Sequence, residues 1–147
     1  MNEKFVYGTR SWYPHLKPAD IAIWEEFIKQ NPTAYEWAIY DQAVGTIPNF
    51  VKEHPDAAMQ KEAKLYQWKI DIVAFVNDKV HVIEIKPNAG LSALGQILGY
   101  TNLFKETFPK IKNVSPLIIT DFLRPDMSKL AADMGIEIYS TNLLKVG

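Results

Sequence analysis

The sequence predicts a mixed α/β fold, a central sheet flanked by helices, on three observations. Two runs of strand-forming residues, 69–76 and 79–86, are separated only by Asn77-Asp78, two residues that accept positive φ and suit a tight hairpin. Segments before and after this hairpin repeat apolar residues at the helical period. Beyond them, short apolar strands alternate with a short helix, the alternation that packs helices onto a mixed sheet.

In order, residues 1–17 read as irregular, with Trp12, Tyr13 and Pro14 packing on the body. Asp20 reads as the N-cap of a helix running to about Gln30, where Asn31-Pro32 stops it. Its apolar residues Ile21, Trp24, Phe27 and Ile28 keep the period. Thr33–Asp41 is aromatic and β-favouring, and Gly45–Val51 reads as a second strand after a turn. Lys52–Gln67, charged and alanine-rich, reads as a helix or a loop. The hairpin strands Lys69–Val76 and Lys79–Lys86 follow, ended by Pro87-Asn88. A helix from about Leu91 to Thr107 carries the apolar stripe Leu91, Leu94, Ile97 and Leu98. Pro116–Thr120 is a short strand, Pro125–Met134 a short helix with Gly135 as its C-cap, and Gly135–Tyr139 a last strand. With no repeat, linker or low-complexity stretch, 1–147 is expected to form a single domain with one core.

Composition excludes some chemistries. The chain has no cysteine, so disulfides, thiolate metal sites and cysteine-held iron–sulfur clusters are ruled out. No apolar run reaches the ~18 residues a membrane span needs, and the first residues lack the apolar core of a signal peptide. A cytoplasmic location is expected, the host's if the source is viral. A net charge of −1 argues against general polyanion binding, which needs an excess of Lys and Arg. A metal site built from carboxylates remains open.

The hairpin supplies such a site. Strand side chains alternate, so Glu84 and Lys86 point the same way. If Asn77-Asp78 forms a two-residue loop, Val76 pairs with Lys79 and Asp71 falls opposite Glu84; a slip of one residue would send Asp71 to the other face. Opposed side chains stand ~4.5–5.5 Å apart at Cβ. Two carboxylates about 4 Å apart near a surface repel by roughly 4 kcal/mol. A divalent cation relieves that repulsion, and Mg²⁺ takes a few carboxylates while keeping positions for water and phosphate oxygens. An E-x-K triplet alone is weak, since it arises by chance in roughly every other chain of this length. A second one, Glu62-Ala63-Lys64, lies in a helix-like context and reads as a solvated face. Strand context, common face and register together single out Asp71, Glu84 and Lys86, where the plain alternative is an exposed ion-pair trio.

These residues resemble the signature of the PD-(D/E)xK (restriction-endonuclease-like) nuclease superfamily: an acid on one core strand, here Asp71 in KIDIVAF, and acid-x-Lys on the next, here Glu84-Ile85-Lys86 in HVIEIKP. The resemblance rests mainly on residues 69–100. It implies a restriction-endonuclease-like αβββαβ core with a mixed central sheet flanked by helices. It further implies Mg²⁺ (or Mn²⁺) held by Asp71, Glu84 and the Ile85 carbonyl, with Lys86 assisting catalysis. Gln96-Ile-Leu-Gly-Tyr100 is similar to the Gln-x-x-x-Tyr of the RecB-like subgroup, which implies that Gln96 and Tyr100 line the site. Gly95 and Gly99 beside them would admit a close neighbour. Many members also place an acid on the first helix, and Glu25, nearer the apolar stripe than Glu26, is the expected one. The residue before the first acid is Ile70 rather than Pro, and the cysteines of the iron–sulfur subgroups are absent.

The expected function is a Mg²⁺/Mn²⁺-dependent deoxyribonuclease with DNA as partner, no membrane association, and self-association as an option for so small a domain. The alternative is a catalytically inactive nucleic-acid-binding or assembly subunit with the same fold. His15, His54 and His81 lack metal-ligand spacing, and no serine stands in a G-x-S-x-G elbow. Lys61, Lys64 and Lys69, with Tyr66 and Trp68, read first as an amphipathic solvated segment with two core aromatics, and second as a DNA-contacting edge.

Overall fold

The computed structural model describes residues 1–47, 53, 56 and 67–142. Pro18 opens the first helix: its ring presets φ, and the N–H it lacks is one that a helix start leaves unpaired anyway. Helix α1 therefore runs Pro18–Gln30 with Lys17 at the cap. Asp20 thus sits inside the first turn rather than at the N-cap expected for it, where the helix dipole favours its charge.

The strands are β1 (Phe5–Val6), β2 (Trp37–Val44), β3 (Trp68–Val76), β4 (Lys79–Asn88), β5 (Val114–Phe122) and β6 (Glu137–Ser140), interleaved with helices α2 (Leu91–Thr107) and α3 (Pro125–Asp133). They form one mixed sheet in the order β1-β2-β3-β4-β5-β6. β1 to β4 are antiparallel, and β5 and β6 join in parallel, each after a helical crossover. Both rims are short: two residues in β1 and four in β6, against eight to ten in the strands between them.

Two apolar layers cover the sheet. On one face Ile23, Trp24 and Phe27 of α1 pack with Tyr40, Ile72, Ile83 and Ile85. On the other, Leu94, Ile97 and Phe104 of α2 and Met127 and Ala131 of α3 pack with Ile39, Val73, Val82 and Ile118. Strict alternation would put Ile70 with Ile72, yet Ile70 joins the α2 side, as does Val44 of the neighbouring strand. The two strands shift phase together around Asp41 and Asp71. Their register is unchanged across the shift, Tyr40↔Ile72 and Gln42↔Ile70, and Asp41 takes φ +53°.

Asn77, with φ +52°, turns β3 into β4 with Val76↔Lys79 as the closing pair, and α2 occupies the expected residues. The differences have local causes. β4 runs through Pro87 to Asn88, because β3 pairs with β4 only as far as Ile72↔Ile83 and no ladder bond is asked of the missing proline N–H on that side. β2 starts four residues later and ends three later than expected, and Gly45 to Ile47 are not strand; the rest of the expected Gly45–Val51 strand, and nearly all of Lys52–Gln67, lie outside the described residues. Residues 1–17 include β1, and Tyr13 is buried while Trp12 is exposed. Leu91, expected in the apolar stripe, is 71 % exposed, while Ala93 and Leu94 of the same turn are buried and face the sheet. A Cβ at Gly95 or Gly99 would meet nothing within 4 Å, so no close neighbour uses them among the described residues. No helix among these residues is long and apolar enough to cross a membrane.

Candidate active site

The Asn77 turn fixes the β3–β4 register, and that register carries Asp71 toward Glu84 at the point where strand pairing stops. One residue beyond the last pair, the Asp71 side chain replaces the backbone as partner: the Ile85 amide donates to its Oδ2 at 3.1 Å. Lys86 Nζ lies 3.6 Å from Oε1 of Glu84. Glu84 is 5 % exposed, and its other oxygen, Oε2, is buried with no hydrogen-bond partner. Such an atom keeps the desolvation cost of burial without compensation.

Charge is correspondingly perturbed. Burial, then the Asp71 carboxylate, pushes Glu84 up to about 8, against the pull of Lys86. Asp71 is raised by burial, opposed by the Ile85 amide and raised further by Asp20. Asp20 is raised by burial and lowered by Lys17 and Lys86. The first-helix acid that acts on the cluster is thus Asp20, not the expected Glu25. Glu25 lies one helical turn or more away and bears instead on Tyr13. The signal for Asp20 was the Lys17-Pro18 step: starting the helix at proline moves Asp20 into its first turn.

Tyr100 reaches the cluster from α2; burial, Glu84 and Asp71, in that order, raise its hydroxyl. The Tyr100 ring packs against the α2-side core and beside Trp68, centroids 6.4 Å apart. Gln96, one turn earlier, is exposed. Trp68 is 60 % exposed rather than a core aromatic, while Lys61, Lys64 and Tyr66 lie outside the described residues. His81 lies in the α1 layer, held between the Tyr35 hydroxyl and Glu137, away from the carboxylates. His15 pairs with Asp41 at 3.5 Å, and His54 lies outside the described residues.

Among the described residues, no group of three or more His, Cys, Asp and Glu side chains is spaced to hold a metal ion. The cluster offers instead a buried carboxylate with one oxygen lacking a partner, a half-buried carboxylate and a lysine. That donor set fits a hard cation that brings most of its own ligands as water, as Mg²⁺ does.

No protein-family model matches the chain, and no curated protein matches it in sequence. Among solved structures, the chain is similar to a repair endonuclease from Pyrococcus abyssi, at 19 % identity and a TM-score of 0.48 over 88 % of this chain and 49 % of that one. It is similar to EndoMS in its complex with double-stranded DNA at 15 % identity and a TM-score of 0.48, over 90 % of this chain and 48 % of that one. A third is a Vibrio cholerae protein, at 14 % identity and a TM-score of 0.49 over 83 % and 30 % of the respective chains. The chain thus matches half or less of the length of each.

Proposed function

We propose that this chain is a nuclease that hydrolyses DNA phosphodiester bonds with Mg²⁺ or Mn²⁺ at Asp71, Glu84 and Lys86. The observation that carries the reading is the buried, unpartnered Oε2 of Glu84 beside Asp71, an arrangement costly to the fold at neutral to alkaline pH unless a proton or a cation relieves it. Asp71 and Glu84 would hold the cation, with the Ile85 carbonyl as a further ligand. When bound, it would supply Lewis-acid charge at a phosphate oxygen and lower the pKa of water.

The chain's own residues do the rest. The Ile85 amide fixes Asp71, so that a backbone group and not a mobile side chain sets its orientation. Lys86, about one-third exposed, pulls Glu84 toward its anionic form and presents an ammonium group where negative charge grows on the phosphate. Asp20 adds negative charge from α1, and Tyr100 walls the cluster from α2. Water would attack phosphorus in line with the P–O bond that breaks, giving up one proton to solvent, and the departing oxygen would take one proton from solvent.

Asp71→Ala, Glu84→Ala and Lys86→Ala are each expected to cut hydrolysis of labelled oligonucleotides by about a hundredfold or more. Circular dichroism should show the fold retained. A wild-type chain that cleaves neither single- nor double-stranded DNA with either cation, and takes up neither in calorimetry, would end this reading.

A further inference from the structure

Trp68 is out of place for an ordinary strand residue. It is the first residue of β3, yet 60 % of it faces solvent. It is nonetheless braced. Val44 pairs with it across the strands, and its Cδ1 lies over Gly45, where a Cβ would stand only 3.4 Å away. Gly45 takes φ +103°, its amide donates to the Thr107 hydroxyl of α2, and its carbonyl accepts from the Gln67 side chain. The Tyr100 ring stands beside the indole, tilted by 49°. The result is a large aromatic face, fixed from below and from one side, with its outer surface uncovered among the described residues.

This face adjoins the carboxylates. Trp68 precedes Asp71 by three residues, roughly 10 Å along a strand, which is about three base steps at the 3.4 Å rise of a stacked strand. Tyr100 links the two, touching Trp68 on one side and feeling Glu84 and Asp71 on the other. A fixed, exposed indole beside a phosphate-cleaving site suits one partner above others, the flat face of a nucleobase. A base inside a duplex has both faces covered by its neighbours. Stacking on Trp68 therefore requires a base with a free face.

Resting on the nuclease reading above, we propose that Trp68, with Tyr100 beside it, is a stacking platform for an unpaired base about three nucleotides from the scissile phosphate. The preferred substrate is then single-stranded or frayed DNA rather than a continuous duplex.

The test uses the full chain carrying Asp71→Asn, which leaves the oligonucleotide uncut, in Mg²⁺. Fluorescence anisotropy measures the affinity of a labelled thymidine hexamer and of a hexamer with every base removed. Trp68→Ala should weaken binding of the thymidine hexamer about 10- to 100-fold, the range of one lost base–aromatic stack, and leave the abasic hexamer unchanged. Trp68→Phe, which keeps an aromatic face and guards against misfolding, should restore binding to within about threefold of Trp68. Equal weakening of both hexamers by Trp68→Ala, or of neither, overturns the platform. Cleavage assays on chains with Asp71 intact separate the two claims. Cutting with Trp68-independent binding rejects the platform and keeps the nuclease. Base-dependent binding through Trp68 without any cutting keeps the platform and rejects the nuclease.

Discussion

Burial and the neighbouring Asp71 push Glu84 up to about 8, from 4.5 for a free glutamate, with Lys86 opposing. Between those two values the folded chain holds a proton that the unfolded chain has released. The stability owed to this group is therefore fully present below pH ~4.5 and is lost as pH rises through about 8. Asp71, also raised, acts in the same direction. Without divalent cations, melting temperature should fall between pH 5 and 8.5, and Glu84→Gln should flatten that fall and stabilise the chain at pH 8.5 by on the order of a few kcal/mol. Thermal melts of both proteins across this range decide it, and parallel profiles would show that Glu84 is not the titrating group. That Asp71, Glu84 and Lys86 meet was legible in the sequence, because a two-residue turn leaves the hairpin only one register that satisfies both strands. Asp20 was less legible, because the sequence offers it as the cap, whereas Pro18 opens α1 and makes it a first-turn acid.

At the level of elements, α2 occupies the expected bounds, Leu91–Thr107, after the Pro87-Asn88 step. Its facing was less legible. Apolar residues at positions 91, 94, 97 and 98 read as one stripe, but only those over the sheet are covered: Ile97 is fully buried and Leu91 is largely exposed. Ile97→Ala should cost about 2–5 kcal/mol, through lost burial and the cavity left behind, and Leu91→Ala within about 0.5 kcal/mol. Urea unfolding of the two variants checks the contrast, and similar losses would mean that the α2 face is misassigned. The joint phase shift of β2 and β3 at Asp41 and Asp71 had no counterpart in the pattern of either strand. It exists only because two neighbours slip together, a tertiary event that period-two alternation cannot register.

For the molecule as a whole, the mixed sheet and its two covering layers follow from the alternation of strands and helices, while the extension of the sheet by β1 came from a segment read as irregular. That segment has a protective consequence. β1 pairs with β2 through only two residues, and beyond them Asn2 takes over: its amide donates to the Gln42 side chain and its own side chain donates to the Tyr40 and Asp41 carbonyls. An eight-residue strand is thus stoppered by a few residues, where bare carbonyls and amides would otherwise template pairing with another chain. Deleting residues 1–6 should turn this rim adhesive, giving concentration-dependent larger species in sedimentation velocity beyond any formed by the intact chain. An identical distribution for both would show that the rim needs no stopper.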